Sequence, residues 1–460
     1  MNDLKWSFRD NIPVAMTIAG SDSCGGAGIS ADLKTFAALG VYGTLVITAV
    51  TAQNTYSLLK MQIIDADLVE KQMEAILQDI SVNAAKTGML YSPDIIEVVA
   101  KVLRQYHIPL VVDPVIKAKC GATLLLKEAI AYLKEELLPL TTVITPNIKE
   151  TEILCGRKVK TYEDMIVAAK EIHNMGPKAV LIKGGHLPGT EAVLDVLYYE
   201  ERIWKFKSPR LHVKTTHGTG CVLSAAITAE LAKGKSIVEA VRVAKELITS
   251  SIRFGLNIGK GYGPVNPMVK LYKDAAKYKV LKNVEKAMRL LIMHTLSERI
   301  APEVGINLVE AIPYAECLKD VVGIPGRLRA TGRGLKAALP PDFNASSHLA
   351  RYVLKLQEYS PNIRAAVNIR FSEELLEIAK KLGFSISYYD RREEPAEIKK
   401  KEGMSIPWGV EQAIKRIGKV PDIIYHKGDW GKEPMIVILG KSAEEVVRKL
   451  LSILDYLKEK

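Results

Sequence analysis

Short apolar segments alternate with longer amphipathic segments from residue 14 to residue 183 of the chain. Apolar runs predict β-strands at 14–19, 43–48, 84–86, 110–112, 142–144 and 179–183. Between them, apolar residues recur with helical spacing at 30–39, 66–79, 92–105 and 162–174. Alternation of this kind predicts an α/β fold with a mainly parallel sheet and helices on both faces.

The pattern changes after residue 222, where helical periodicity continues to residue 254. Glycine and proline residues at 255–267 then mark a domain boundary. We predict a first domain at 1–267, a helical connection at 268–284 and a smaller α/β domain at 285–460. Within the second domain, strands are expected at 309–311, 365–369, 384–389, 422–425 and 435–439, and helices at 373–382 and 443–457.

Polar and glycine residues follow the predicted strands of the first domain. Gly20, Lys86, Asp113, Asn147 and Gly184 all fall at such strand ends. Ligands of parallel α/β sheets collect beyond the carboxyl ends of the strands. The sequence therefore predicts a binding site at this edge of the first sheet.

A glycine-rich turn, TTHGTGC at residues 215–221, runs into a helix of small residues. Gly218 and Gly220 permit a tight turn, and the amides at a helix start suit a phosphate group. Cys221 lies in the same turn, where the field of the helix would favour its thiolate. Taken alone, such glycines are equally typical of an ordinary turn. The combination predicts phosphoryl transfer with a built-in base.

The second domain carries an arginine- and glycine-rich segment, GIPGRLRATGRG at residues 323–334, followed by asparagine, histidine and a further arginine. Guanidinium groups pair with phosphate oxygens in a two-pronged geometry, and glycines expose backbone amides. A pocket for phosphorylated ligands is therefore predicted, with a solvated basic loop as the alternative. The candidate residues are Arg327, Arg329, Arg333, Asn344, His348 and Arg351.

Composition narrows the class of protein. The 460 residues are 48% hydrophobic and 25% charged, which is typical of a globular protein with two or three domains. No apolar run is long enough to span a bilayer, the charged N-terminus does not resemble a signal peptide, and the five cysteines form no CxxC pair. The formal charge of +12 is spread over amphipathic segments. We expect a cytoplasmic protein that binds small phosphorylated molecules, without nucleic-acid or membrane partners.

Seven motifs, in order, resemble those of the hydroxymethylpyrimidine/phosphomethylpyrimidine kinase family within the ribokinase superfamily. They are residues 19–32, 48–54 (TAVTAQN), 86–89 (KTGM), 111–115 (VVDPV), 145–150 (TPNIKE), 183–186 (KGGH) and 216–226. The resemblance covers about residues 10–265 and implies two successive ATP-dependent phosphorylations, which yield the pyrimidine diphosphate. It also implies Mg²⁺ as a cofactor and a homodimer or higher homo-oligomer.

The resemblance assigns roles to individual residues. Pyrimidine binding is implied for Gly20, Asp32, Gln53 and Met89. The general base would be Cys221, with an anion hole and ATP site formed by Asn147, Lys183, Gly218, Thr219 and Gly220. The implied Mg²⁺ site contains Asp113 and Glu150.

Residues 285–460 resemble the archaeal-type thiamine-phosphate synthase domain, on the basis of GIPGRL, the Ser347–His348 region and NIRF at 368–371. This resemblance implies condensation of the pyrimidine diphosphate with thiazole phosphate, with release of pyrophosphate. Arg327 and His348 would be catalytic, supported by Arg329, Arg333, Asn344 and Arg351. The alternative is a pyridoxal or pyridoxine kinase whose C-terminal domain senses thiamine phosphate without catalysis.

Overall fold

The computed structural model describes residues 12–117, 121–187 and 192–458. Two features of the sequence analysis lie outside these ranges. They are the charged N-terminal segment, residues 1–11, and Cys120. The described chain divides into two compact units, Met1–Leu271 and Tyr272–Lys460. The boundary was predicted after residue 267. Among the described residues, no helix has the length and apolar character needed to cross a bilayer.

The described residues of the first unit form ten strands. They are β1 Val14–Ala19, β2 Tyr42–Ile47, β3 Ala49–Gln53, β4 Leu58–Ile63, β5 Ala84–Thr87, β6 Leu110–Val112, β7 Val143–Ile144, β8 Ala179–Ile182, β9 Ala192–Tyr199 and β10 Arg202–Pro209. Eight of them form one sheet in the order β10-β9-β8-β7-β6-β5-β1-β2. From β8 to β2 all neighbours are parallel, whereas β9 and β10 pair antiparallel at one edge. The predicted mainly parallel sheet is confirmed.

Helices of the first unit cover both faces of this sheet. They are α1 Gly28–Ala38, α2 Ala66–Leu77, α3 Pro93–Leu103, α4 Ala129–Tyr132, α5 Ile148–Cys155, α6 Tyr162–His173, α7 Thr219–Ala232 and α8 Ile237–Arg253. Alternate strand residues enter different cores, because successive side chains point to opposite faces. Ala15 packs in the core that includes α1, α7 and α8, whereas Met16 packs in the core that includes α2, α3 and α6.

The hairpin of β3 and β4 forms a separate two-stranded sheet that the sequence pattern did not predict. Its residues are largely exposed or half-buried, so they lack the continuous apolar run of the main strands. The register shifts between Ala52 and Gln53. Ser21 N donates a hydrogen bond to Ala49 O (2.8 Å), and this contact joins the loop after β1 to the hairpin.

The second unit is a different α/β arrangement. Its helices are α10 Ser347–Gln357, α11 Glu373–Lys381, α12 Ala396–Lys399, α13 Ser405–Ile417 and α14 Ala443–Lys458, with α9 Val269–Met293 at the division between the units. Its strands are β11 Leu308–Ala311, β12 Val321–Gly323, β13 Leu328–Ala330, β14 Leu335–Ala337, β15 Asp342–Phe343, β16 Ala365–Arg370, β17 Ile386–Tyr388, β18 Ile423–His426 and β19 Met435–Gly440.

Seven strands of the second unit form a sheet in the order β15-β12-β11-β16-β19-β18-β17. Only the β17–β18 pair within it is parallel. Helices α10 and α13 pack on one face, and α9, α11 and α14 on the other. The second, smaller α/β domain is thus confirmed. The segment predicted as an arginine loop contains strand β13 and leads into β14, with which β13 forms a short hairpin.

Candidate active sites

The turn before α7 depends on a glycine in the left-handed conformation. Gly218 has φ +81° and is the N-cap of α7, so the chain reverses there without strain from a side chain. A Cβ at this position would lie 1.8 Å from the carbonyl oxygen of Gly26. The first helical bond is donated by Val222 N to Gly218 O (2.9 Å), so the amides of 219–221 precede it. These amides form the kind of cradle that binds a phosphate.

Asp22 fastens this turn to the glycine-rich loop between β1 and α1. Its Oδ2 lies 2.8 Å from His217 Nε2 and accepts hydrogen bonds from Ala27 N (2.8 Å) and Gly26 N (3.1 Å). Burial raises the pKa of Asp22, but hydrogen bonds from His217 and Cys24 outweigh it, and the net shift is downward. The sequence analysis missed both Asp22 and His217. The sequence signal that could have identified Asp22 is its position just before a run of glycines.

A buried group of charges meets the start of α7. Lys183 Nζ lies 3.0 Å from Asp113 Oδ1 and 4.0 Å from Glu150 Oε2. A Cβ on Gly220 would lie 3.2 Å from Asp113 Oδ2 and 3.4 Å from Lys183 Nζ. The structure therefore brings the predicted anion-hole, ATP and metal residues together at one end of the sheet. Lys183 thus interacts with two carboxylates, whereas its predicted role was limited to the anion hole and ATP site.

Asn147 and Glu150 also form the capping box of α5. Asn147 N donates to Glu150 Oε2 (2.7 Å), and Glu150 N donates to Asn147 Oδ1 (3.0 Å). Burial and the neighbouring charge of Asp113 raise the pKa of Glu150 to about 7, against the opposing effect of Lys183. Both residues thus stabilise the helix start at the position where the metal site was predicted.

Cys221 interacts electrostatically with a fully buried ion pair. Lys86 Nζ contacts Asp32 Oδ2 at 2.9 Å, and both side chains have 0% exposure. Asp32 also accepts a hydrogen bond from Thr17 Oγ1 (2.7 Å). Asp32 was predicted to bind the pyrimidine. Because Asp32 presents no surface, its effect on a ligand passes through Lys86, a strand-end residue to which no individual role was assigned.

The surroundings of Cys221 act against the thiolate that the field of the helix start was expected to favour. Burial is the largest of the effects that raise the pKa of Cys221 to about 12; the charge of Lys86 lowers this pKa, and the carboxylates of Asp32 and Asp113 raise it. The local sequence showed the helix start but not the two carboxylates that the fold places beside the thiol. The sulfur therefore keeps its proton before substrates bind.

Three predicted pyrimidine-binding residues lie around the loop after β1. A Cβ on Gly20 would be 3.1 Å from Met89 Sδ. Gln53 N donates to Ser23 Oγ (2.7 Å), and Ser23 Oγ donates to Gln53 O (2.7 Å). The Gln53 side chain is half-buried at the end of β3. Gly20, Gln53 and Met89 are thus brought to one region of the first unit.

The second unit contains a cavity of about 590 Å³ beside the arginine segment. Arg327, Arg329 and His348 are among the residues that line it. Arg327 adopts φ +64° and donates from Nη1 to Val304 O (2.9 Å), while Arg329 Nη1 donates to Glu303 O (3.2 Å). These backbone contacts hold both guanidinium groups at the cavity. The predicted residues Arg333, Asn344 and Arg351 are outside its lining.

His348 is surrounded by positive charge. Burial, together with the charges of Arg391, Arg327 and Arg351, lowers its pKa to about 4. Its Nε2 is buried without a hydrogen-bond partner among the described residues. The imidazole is therefore neutral at neutral pH, so it donates a hydrogen bond to an anion rather than acting as a ready acid. Arg391 was absent from the predicted site residues.

The family model of phosphomethylpyrimidine kinase matches residues 22–266. The chain belongs to this family. A second family model, thiamine-phosphate synthase ThiN, matches residues 283–452. Both resemblances seen in the motifs are thereby confirmed, and so is the combination of a kinase with a thiamine-phosphate synthase domain in one enzyme.

Individual relatives agree with these matches. A hydroxymethylpyrimidine/phosphomethylpyrimidine kinase of Rhizobium meliloti is 46% identical over 264 residues, which cover 57% of this chain and 99% of that protein. The thiamine biosynthesis bifunctional protein ThiED of Geobacter sulfurreducens is 46% identical over 252 residues, 55% of this chain and 51% of that protein. The pyridoxal kinase of Staphylococcus aureus in complex with AMP-PCP and pyridoxal is 35% identical, with a TM-score of 0.52 over 56% of this chain and 94% of that one. Use of ATP by the kinase fold is supported.

We predict that Gly218→Ala abolishes most kinase activity, whereas Gly234→Ala does not. Both glycines have positive φ and flank the same helix α7, but a Cβ on Gly234 meets nothing within 4 Å. Each substitution should cost about 1–2 kcal/mol of backbone strain. Only Gly218→Ala should push the turn off Gly26 and lower kcat by about 100-fold. Steady-state kinetics and thermal unfolding of both variants provide the check. Equal kinetic losses would contradict the role of the close approach.

We also predict that Cys221 resists alkylation while the exposed Cys317 reacts. With a pKa of about 12, about one Cys221 in ten thousand is a thiolate at pH 8. Iodoacetamide labelling followed by peptide mass spectrometry should show modification of Cys317 first. Labelling of Cys221 should increase steeply as the pH is raised toward 10. Equal labelling of both thiols at pH 7.5 would show that Cys221 is ionised in the free protein.

Proposed function

We propose that the first unit, the predicted kinase domain at 1–267, phosphorylates hydroxymethylpyrimidine and then its monophosphate by means of the turn before α7. The observation that carries this proposal is the convergence of that turn, Cys221, Lys86 and the Asp113–Lys183 pair. The pyrimidine would lie beside Gly20, Gln53 and Met89, where the Gln53 amide offers donors and an acceptor to an aminopyrimidine edge.

In the transfer step, the hydroxymethyl oxygen forms a bond to the γ-phosphorus as the bond to ADP breaks, and the hydroxyl proton passes to Cys221. The amides of 218–221 would stabilise the charge on the transferring group. Since the thiol is protonated in the free protein, its proton must pass to solvent water as substrates bind, before the thiolate accepts the hydroxyl proton. Lys86, whose charge lowers the pKa of Cys221, is the residue that would stabilise the resulting thiolate.

Mg²⁺ is proposed at the carboxyl end of β6. Asp113 and Glu150 supply oxygen ligands of the kind that Mg²⁺ prefers, and both are buried beside Lys183. The donor set fits the ion, which would neutralise phosphate charge there. A homo-oligomeric state and a cytoplasmic location stay predictions.

For the second unit, the predicted synthase domain at 285–460, we propose condensation of the pyrimidine diphosphate with thiazole phosphate. A carbon–nitrogen bond forms to the thiazole nitrogen, and the carbon–oxygen bond to pyrophosphate breaks. Arg327 would pair with the leaving pyrophosphate, and neutral His348 would donate a hydrogen bond to it. Arg329 lies beside them, and Arg333, Asn344 and Arg351 are proposed as supporting phosphate-binding residues. The cavity that contains Arg327 and His348 supports this proposal.

Pyridoxal kinase activity is the second candidate, because the first unit is similar to a pyridoxal kinase of known structure. The matching family model and the relatives of the first unit favour the pyrimidine. Comparison of kcat/KM for hydroxymethylpyrimidine and pyridoxal distinguishes the two. A higher value for pyridoxal would overturn the proposed substrate.

We predict that variants of the two sites fail at different steps of a coupled assay. Cys221→Ala should form no thiamine phosphate from hydroxymethylpyrimidine, ATP, Mg²⁺ and thiazole phosphate, yet should form it when pyrimidine diphosphate is supplied. Arg327→Ala should accumulate pyrimidine diphosphate and form little thiamine phosphate from either starting point. Chromatography of the products follows both steps.

Matched controls are Cys155→Ala, a half-buried cysteine on α5, and Arg448→Ala, an exposed arginine paired with Glu444 on α14. Both should behave like the unaltered protein. If Cys221→Ala retained full kinase activity, the proposed base would be wrong. If unaltered protein bound thiamine phosphate but never formed it, the second unit would be a sensor.

A further inference from the structure

A buried polar group adjoins the cavity of the second unit at His348. The His348 ring lies 5.7 Å from the ring of Tyr352, and Tyr352 Oη lies 2.7 Å from Tyr389 Oη. The Tyr389 ring in turn lies 5.1 Å from the ring of His426 and 5.9 Å from Arg391 Cζ. Residues from α10, β18 and the segment after β17 thus meet at one place.

In two members of this group, one donor nitrogen has no acceptor among the described residues. His426 is 2% exposed, and its Nδ1 accepts a hydrogen bond from Gly428 N (3.2 Å). Since burial lowers the pKa of His426 to about 3, the ring is neutral and carries its hydrogen on Nε2. That Nε2, and Nε of the 7% exposed Arg391, are buried without partners among the described residues.

In the part of the chain that the structure describes, the arginines around this group are not paired with carboxylates, although the charge of Arg391 contributes to lowering the pKa of Asp429. Within the described ranges, Arg327, Arg351 and Arg391 form no ion pair. Glu394 is buried nearby in the chain, yet its Oε1 also has no hydrogen-bond partner. A buried guanidinium without a counter-ion is costly, so the arrangement favours a bound anion.

The positive groups approach His348 from different elements. Arg391 has the largest effect of any charge on the pKa of His348, and Arg327 and Arg351 follow. Arg327 belongs to the open cavity, whereas Arg391 belongs to the buried group. His348 therefore lies between Arg327, which lines the open cavity, and Arg391, which belongs to the buried group.

We propose that Arg391 and His426 bind the phosphate monoester of thiazole phosphate, separately from the diphosphate held by Arg327. This inference rests on the proposed synthase activity. The reaction involves two anionic groups with different fates. Pyrophosphate leaves, which suits the open cavity, whereas the monoester stays in the product, which suits an enclosed subsite for one phosphate.

The test measures synthase kinetics of the full chain with each substrate varied. Arg391→Ala should raise KM for thiazole phosphate by about tenfold or more, the effect expected for loss of a charged hydrogen bond. KM for pyrimidine diphosphate should change by less than about threefold. Arg391→Lys keeps the charge but removes the Nε–H, and should give an intermediate KM.

His426 provides an independent pair of variants. His426→Leu removes the donor and should raise KM for thiazole phosphate, whereas His426→Gln keeps a donor and should raise it less. Inorganic phosphate, used as a competitive inhibitor against thiazole phosphate, should bind more weakly to Arg391→Lys and His426→Leu. Arg392→Ala is the matched control, because Arg392 is adjacent in sequence, 80% exposed and paired with Asp390.

The outcomes separate this inference from the function on which it rests. If the unaltered chain forms no thiamine phosphate, the proposed synthase activity fails. If it does so and both Arg391 variants leave KM for thiazole phosphate unchanged, the monoester subsite is overturned. It is also overturned if KM for pyrimidine diphosphate rises equally or more. Thermal unfolding of each variant identifies loss of folding, and Arg391→Lys then decides the result.

Discussion

One carboxylate oxygen joins the two glycine-rich segments of the first unit. Asp22 Oδ2 binds backbone amides of its own loop and the imidazole of His217, which lies 195 residues further along the chain. The contact keeps Gly218 against Gly26 and fixes the start of α7. The position of the anion-binding amides, and of Cys221 beside Lys86, depends on this connection. It is an electrostatic constraint between distant segments rather than a property of either segment alone.

The candidate sites of the two units offer different chemical groups to phosphate. In the first unit, backbone amides at a helix start are combined with carboxylates and with two lysines that pair with them. In the second, arginines line a cavity and no ion pair neutralises them among the described residues. The first arrangement suits transfer of a phosphoryl group, where charge must be held and released. The second suits binding of anionic groups whose phosphorus atoms do not react.

The sequence could predict features that depend on local pattern. β1, β6 and β8 carry continuous apolar runs, and their polar ends fall at the candidate site. The hairpin of β3 and β4 was missed because its half-exposed strands have no such run. The raised pKa of Cys221 could not be predicted, because burial and the carboxylates of Asp32 and Asp113 act on the sulfur only in the folded chain. His426 was missed for the same reason, since only the fold brings it beside Tyr389 and Arg391.

Helix α9, Val269–Met293, has a consequence for how two enzymes can be joined in one gene. Its later residues Val280, Val284 and Leu291 are fully or almost fully buried in a core of the second unit. The segment predicted as a linker at 268–284 is therefore structural, and truncation within it would expose apolar surface. A gene that encodes the second unit by itself must retain this helix. The division between the two units falls between Leu271 and Tyr272, inside this helix, so a separate second unit must keep the helix residues from Tyr272 onward.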